Sequence, residues 1–293
     1  MSDPRVISRL QLLLTAVLFS TGGAAIKATS LTGWQVASFR SGVAALTLLI
    51  LVPAARRHWN LRVMAVGAVY AVTMILFVLA NKLTTAANAI FLQSAAPLFT
   101  LMLGPWLLKE RVRQRDVVFM MVLAAGLALF FTGGDQPSAT APDPMAGNLL
   151  GAVTAVFWAL TMVGLRGLGK SSDSAGATAA TAVVAGNAMA FLACLPMALA
   201  SPLGATQGGD WLIIAFLGVV QIGLAYALFT KAIRHVPALE ASLLLQVEPV
   251  LSPLWAWLFH AELPTGWSLV ACVLILVATA IKTWFEIRRP LPV

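Results

Sequence analysis

Apolar residues run in long blocks along this chain, and polar residues collect in the short gaps between them. A bilayer span needs about 20 mostly apolar residues. Ten blocks meet that length, at 9–28, 33–54, 61–81, 85–108, 115–132, 146–168, 175–200, 211–231, 238–259 and 266–286. The pattern predicts an all-α polytopic membrane protein with ten transmembrane helices, and the gaps leave no room for a soluble domain.

The blocks also repeat. At an offset of 152 residues, Ala80-Asn81-Lys82, Ala89, Pro97 and Glu110 match Ala232-Ile233-Arg234, Ala241, Pro249 and Glu262 without a gap. At an offset of 139, Thr15-Ala16-Val17-Leu18-Phe19 matches Thr154-Ala155-Val156-Phe157-Trp158, and Lys27 matches Arg166. The expected units are residues 1–141 (helices 1–5) and 142–293 (helices 6–10). An odd number of helices per unit forces the second copy to insert upside down. Inverted repeats of this kind mark secondary transporters, with the binding site where the halves meet. Between them, Thr132 to Pro144 is dense in Pro, Gly and polar residues and reads as an exposed linker.

Composition agrees. Hydrophobic residues make up 60% of the chain and charged residues 10%, against roughly 45–50% and about 25% in soluble domains. The Lys and Arg residues set the expected orientation. With a cytoplasmic N-terminus, sixteen of the nineteen fall on inside segments, Lys27 and Lys82 fall outside, and Arg40 lies within helix 2. Both termini are therefore expected in the cytoplasm. The net charge of +8 does not point to nucleic acid, because the basic residues follow alternate loops; at most they also meet anionic headgroups. Cys194 and Cys272 lie deep in helices, so no disulfide framework is expected. No cleavable signal precedes helix 1, which is expected to be retained. Trp34, Trp59, Trp106, Trp211, Trp267 and Trp284 sit near helix ends and suit the headgroup level.

Several stretches resemble the drug/metabolite transporter superfamily, in particular its ten-helix EamA branch. They are Phe39-Arg40, Ala95-Ala96-Pro97-Leu98 through Lys109-Glu110-Arg111, Ala225-Tyr226-Ala227, and Glu248-Pro249-Val250 through Ala261-Glu262-Leu263. The likeness covers nearly the whole chain, and the paired Pro-to-Glu spacing makes it specific for the fold. It implies an inner-membrane exporter of amino acids or related metabolites, and it is similar to bacterial exporters of aromatic amino acids. The motifs do not themselves identify that substrate. A small molecule and the bilayer are the expected partners, with no cofactor, no metal, no nucleic acid and a monomeric state.

Within this frame several residues carry candidate chemistry. Pro97 and Pro249 lie mid-membrane at equivalent positions of helices 4 and 9. A proline there frees a carbonyl that a neighbour, a water or a substrate must answer, giving either a hinge or a packing kink. Glu248, ten residues into helix 9, must be protonated, paired or facing water. It can carry a proton, bind an amino group, or pair with Arg40. Arg40 itself reads as structural, its side chain long enough to reach the interface. Glu110 and Glu262 end helices 4 and 9 on opposite faces, as latches or as solvated ends. Phe19 and Trp158 are repeat-mates, as are Phe77 and Phe229. With Tyr70, Tyr226, Gln93 and Gln246 they outline an aromatic-walled binding site with a few amide and hydroxyl contacts. Each ring taken singly is equally at home in a core or against lipid. Such walls suit amphipathic zwitterions with large apolar side chains.

Other function classes fit less well. A multidrug exporter on the same scaffold remains open, although helix 1 has no acid. An intramembrane enzyme is disfavoured, since His58, His235 and His260 fall near interfaces and no nucleophile motif such as Gly-x-Ser-x-Gly occurs. A channel is disfavoured by the lack of charged rings or a carbonyl filter.

Overall fold

The computed structural model describes residues 4–107, 114–132, 136–170, 175–203, 208–232, 236, 244–245, 247–263 and 266–287. The described secondary structure is helical throughout, with no strand among these residues. In chain order the helices are α1 (Pro4–Ser20), α2 (Gly22–Lys27), α3 (Gly33–Leu51), α4 (Leu61–Leu83), α5 (Ala86–Ser94), α6 (Ala96–Leu107) and α7 (Gln114–Leu129). There follow α8 (Pro144–Lys170), α9 (Ala175–Ala200), α10 (Gly208–Ala215), a π-helix at Phe216–Leu224, α11 (Ala225–Ala232), α12 (Val247–His260) and α13 (Gly266–Ile287).

Among the described residues, seven segments are long and apolar enough to cross a membrane: Val6–Lys27, Gly33–Leu51, Leu61–Leu83, Ala86–Leu103, Pro144–Leu168, Gly176–Ala200 and Gly208–Ala232. Gly266–Lys282 is apolar and shorter. The chain is a polytopic, all-helical membrane protein. The shorter α7 and α12 fall in the fifth and ninth expected spans.

Local signals set the starts. Thr32 opens α3 with a capping box, accepting from the Gln35 N–H while the Gln35 side chain accepts from the Thr32 N–H. Asn60 caps α4 through the Val63 N–H, and Thr85 caps α5 through the Asn88 N–H. Five of the terminal tryptophans, Trp59, Trp106, Trp211, Trp267 and Trp284, are exposed, while Trp34 is half-buried.

Three expected spans are not uniform helices. The first breaks at Thr21, between α1 and α2, and the fourth breaks at Ala95, between α5 and α6. The eighth is wound as a π-helix from Phe216 to Leu224. The spans expected at 9–28 and 85–108 are each present with a break inside. At Thr21 the reason lies in the side chains. The Ser20 and Thr21 hydroxyls turn back onto the carbonyls of Val17 and Leu18, and Gly22 and Gly23 follow. Such local bonds compete with the helical ladder.

Packing joins the first half of the chain to the second. α4 lies along α8 and α9, α3 lies along α9 and the π segment, and α5 and α6 lie along α8. In turn α1 lies along α11 and α12, and α7 along α13. Exchanging the first five spans for the last five leaves this set of pairings unchanged. The contacts are close because small residues line them, as membrane helices require when hydrophobicity alone gives no drive to associate. Where α4 crosses α9, a Cβ on Gly186 would lie 2.5 Å from the Gly67 carbonyl and 2.5 Å from the Tyr70 ring.

Gly186→Ala is therefore expected to lower unfolding stability by about 1–3 kcal/mol, the usual range for overpacking. Gly167→Ala is the control, since nothing lies within 4 Å of that position. Melting curves in detergent check the pair; equal melting temperatures would show that the α4–α9 crossing relaxes freely.

Candidate functional site

At the break between α1 and α2, the carbonyls freed from the helical ladder need new partners. The Gln221 amide, on the π segment, donates to the Phe19 carbonyl at 3.4 Å. Trp255 Nε1 on α12 donates to the Ser20 hydroxyl at 2.9 Å, and Thr15 Oγ1 on α1 donates to the Ala225 carbonyl at 3.3 Å, where the π segment ends. Irregular turns from the two halves thus complete one another.

Beside this junction the aromatic rings gather. Tyr226, the second residue of α11, meets Phe19 edge-on at 5.1 Å between centroids. It meets Tyr70 at 6.0 Å and Phe229 at 6.3 Å, both close to perpendicular. Edge-to-face geometry is the favoured one for such pairs. Trp158, from α8, packs on the same cluster and also against Ala96, the first residue of α6. The structure thus brings Phe19, Tyr70, Tyr226, Phe229 and Trp158 together from both halves.

The remaining candidates fall elsewhere. Phe77 is buried in a different cluster with Ile90 and Phe91, and its carbonyl accepts from Asn81. Gln93 lies on α5 two residues before the Ala95 break, and its side-chain oxygen is buried without a partner. Pro97 is the second residue of α6 and Pro249 the third of α12. In both places the proline occupies the first turn, where its missing N–H costs no helical bond. Glu248, half-buried at the start of α12, lies within electrostatic reach of the Tyr226 phenol. It makes no hydrogen bond or ion pair with a described residue. Gln246 and Glu110 lie outside the described residues. Among the described residues no cluster of three or more His, Cys, Asp or Glu side chains could hold a metal ion.

Two features went unanticipated in the sequence. Arg40 is fully buried, its Nη2 donating to the Met74 carbonyl at 3.3 Å, and it is not paired with Glu248. Asn187 on α9 donates to the Tyr70 hydroxyl at 3.4 Å, and its own oxygen is unpaired. A lone asparagine in the apolar run Ala182 to Ala190 was the available signal.

Away from the rings, the end of the bundle that bears Lys27 is latched. The Lys27 ammonium lies 3.0 Å from a carboxylate oxygen of Glu262, with side chains 3% and 4% exposed. It also donates to the carbonyls of Thr84 and Thr140. The second Glu262 oxygen accepts the Ala86 N–H, at the start of α5, at 2.9 Å. An anion at a helix N-terminus is favourable. Ala261, in the left-handed region with φ of 52°, turns the chain so that Glu262 points back to this position. The Ala261 N–H reaches the Trp257 carbonyl, the single bond of an αL cap, and the Glu262 N–H reaches the Ala256 carbonyl. His260 and the Ala24 carbonyl, 2.8 Å apart, join α12 to α2 at the same end.

The sequence profile of the EamA-like transporter family, as a family description, matches residues 7–132 and again 145–284. The aromatic amino acid exporter YddG of Ancylobacter novellus is 28% identical over 92% of this chain and 87% of its own length. The pseudopaline exporter CntI of Pseudomonas aeruginosa is 24% identical over 91% and 92%. Human solute carrier family 35 member G1 is 24% identical over 94% and 79%. A solved crystal structure, 21% identical and covering 97% of this chain and 100% of its own, has the same fold with a TM-score of 0.63.

The buried latch sets an expectation of its own. Removing one member of a buried ion pair costs about 3–5 kcal/mol because the other is stranded. Glu262→Gln and Lys27→Met should each lower the melting temperature, and the double variant should be less destabilised than the two singles added together. Simple additivity in a melting cycle would mean that the two charges do not stabilise one another.

Proposed function

The chain belongs to the EamA-like transporter family, and from that premise we propose that it exports amino acids with large apolar or aromatic side chains across a bacterial inner membrane. The observation that carries this reading is the aromatic cluster. Phe19, Tyr70, Trp158, Tyr226 and Phe229 converge from both halves beside broken backbone. Rings supply apolar contact and oriented π faces, worth about 0.5–1.5 kcal/mol per pair beyond burial. A relative named as an aromatic amino acid exporter supports the substrate class, and one named as a pseudopaline exporter supports export of small metabolites more broadly.

The transport mechanism in this reading is alternating access by two inverted units, residues 1–141 and 142–293. Supporting it are the family profile's double match and the pairing of helices, which is unchanged when the halves are exchanged. Pro97 and Pro249 are the proposed hinges, each near the start of its helix. The Lys and Arg distribution supports cytoplasmic termini. The Lys27–Glu262 latch then closes the periplasmic side, and the protein is held ready to load from the cytoplasm. Gln93, Gln246 and Glu248 complete the proposed substrate contacts with the rings; Phe77 supports the wall from the neighbouring cluster.

The deciding experiment is a transport screen of the twenty amino acids, with a panel of cationic drugs, on purified protein in liposomes. Trans-stimulated uptake of phenylalanine, tryptophan or tyrosine is expected. Uptake of the drugs alone would replace the reading with that of a multidrug exporter on the same fold.

Two variants refine it. Trp158→Ala and Tyr226→Ala should weaken transport of the aromatic amino acids about tenfold while changing that of alanine little, the loss of ring contacts amounting to about 1 kcal/mol or more. Equal loss for every substrate at normal protein levels would make the rings fold elements only. Glu248→Gln should leave the melting temperature near that of the parent and flatten the rate profile between about pH 5.5 and 8.5, as expected of a carboxylate that titrates during the cycle. An unaltered profile would remove Glu248 from the proton path.

A further inference from the structure

Arg40 heads the largest side chains that are fully buried, at 1% exposure. A guanidinium offers five N–H donors and cannot be discharged in a protein. Taking it out of water without a counter-charge is strongly unfavourable, whether the surroundings are protein or hydrocarbon. Yet Arg40 makes no ion pair with any described residue. Its Nη2 has one carbonyl, that of Met74 at 3.3 Å, with the Met74 sulfur at 3.7 Å. Its Nε has no partner.

What surrounds the cation is informative. Its electrostatic neighbours are the phenols of Tyr70 and Tyr226 and the thiol of Cys194, none of them a carboxylate. The same Tyr226 phenol is also within electrostatic reach of Glu248, an acid with no described partner. A guanidinium and a carboxyl group, neither with a described charge partner, thus both act on one phenol of the cluster that also contains Phe19 and Trp158. Nearby polar atoms are unspent too, with the Asn187 side-chain oxygen and the Ser41 hydroxyl buried and without hydrogen bonds. This chemistry is complementary to an α-amino acid, whose carboxylate and ammonium lie at one end of a ring-bearing side chain. One guanidinium matches one carboxylate; a phosphate would bring more negative charge than this cation alone can balance.

We propose that Arg40 is the anchor for the substrate carboxylate, forming with it the ion pair that no described residue supplies. The proposal rests on the amino-acid reading given above and assigns Arg40 a role which that reading does not need. Bidentate Arg–carboxylate pairing is short and directional, so it fixes the orientation of the substrate as well as its affinity. Arg40 is 1% exposed, with the phenols of Tyr70 and Tyr226 among its electrostatic neighbours, so loading requires the side chains around it to part. Substrate then supplies the counter-charge as it is enclosed.

The test compares ligands on the unmodified protein before any variant is made. Binding to purified protein in detergent is followed by thermal shift for L-phenylalanine, L-phenylalaninamide, phenethylamine and phenylacetate. Phenylalanine is expected to bind about tenfold or more tightly than the amide or the amine, the usual worth of a hydrogen-bonded charge. Arg40→Met should reduce phenylalanine to the level of the amine and leave the amine unchanged. Its ligand-free melting temperature should equal or exceed that of the parent, because an unbalanced buried charge has been removed. Equal binding of acid and amine by the parent protein overturns the proposal. So does an Arg40→Met protein that melts lower and keeps its preference for the acid, which would make Arg40 a strut. If phenylacetate binds through Arg40 while no amino acid does, the anchor stands and the amino-acid reading falls. If phenylalanine binds and the preference for acid over amine survives Arg40→Met, the reading stands and the anchor falls.

Discussion

In hydrocarbon every backbone N–H and C=O must find its partner inside the protein, and the rest of this architecture follows from that demand. A chain of unbroken helices would meet it without help. This chain breaks its helices at Thr21 and Ala95 and widens one between Phe216 and Leu224. Each irregularity has to be answered by a side chain from somewhere else. The answers from Gln221 to Phe19 and from Thr15 to Ala225 cross between the two halves of the molecule. The junction is therefore held by polar bonds at the places where the backbone is irregular, and by small residues everywhere else. The aromatic cluster sits beside this junction.

How much of this was legible in the sequence depends on which physical signal each feature leaves. Long apolar runs have one economical structure in a bilayer, so the spans were readable, as was the family likeness carried by the paired Pro-to-Glu spacing. The convergence of Phe19, Trp158 and Tyr226 followed from repeat equivalence and depth. Phe77 followed the same logic and packs in another cluster, because its turn of α4 faces α2 and α5 while its repeat-mate Phe229 faces Tyr226. The π segment left no mark, since its run Phe216 to Leu224 has no proline and is as apolar as an α-helical span. The end of α12 also went unmarked: glycine is the usual residue at a left-handed cap, and here Ala261 fills it. Arg40 was read as able to reach an interface. Its immediate surroundings, Tyr70 and Met74 on α4 and Cys194 on α9, come from two other parts of the chain, and no local pattern announces them.

The two kinds of buried charge in this protein differ in what they ask of their surroundings. Lys27 and Glu262 satisfy each other and three backbone groups, one of them at a helix start, and so define one end of the bundle. Lys282 and Asp116 do the same between α13 and α7, with the ammonium also over the Phe119 ring at 5.2 Å. These pairs are complete. Arg40 and Glu248 are the incomplete ones, and they lie beside the rings at the meeting of the two halves.

The π-helix between α10 and α11 gives this meeting point a way to move that needs no displacement of whole helices. Wider turns advance each residue by a smaller angle about the axis than α-turns do. Tyr226 and Phe229, immediately downstream, owe the direction of their rings to that accumulated lag. Migration of the wide turn along the segment, one hydrogen bond at a time, would rotate the rings like the hands of a dial while Asp210 stays tied to Ser30 at one end of the segment. Screw motion about a single helix axis, at almost constant helix length, would then add to the hinge motion proposed for the two halves.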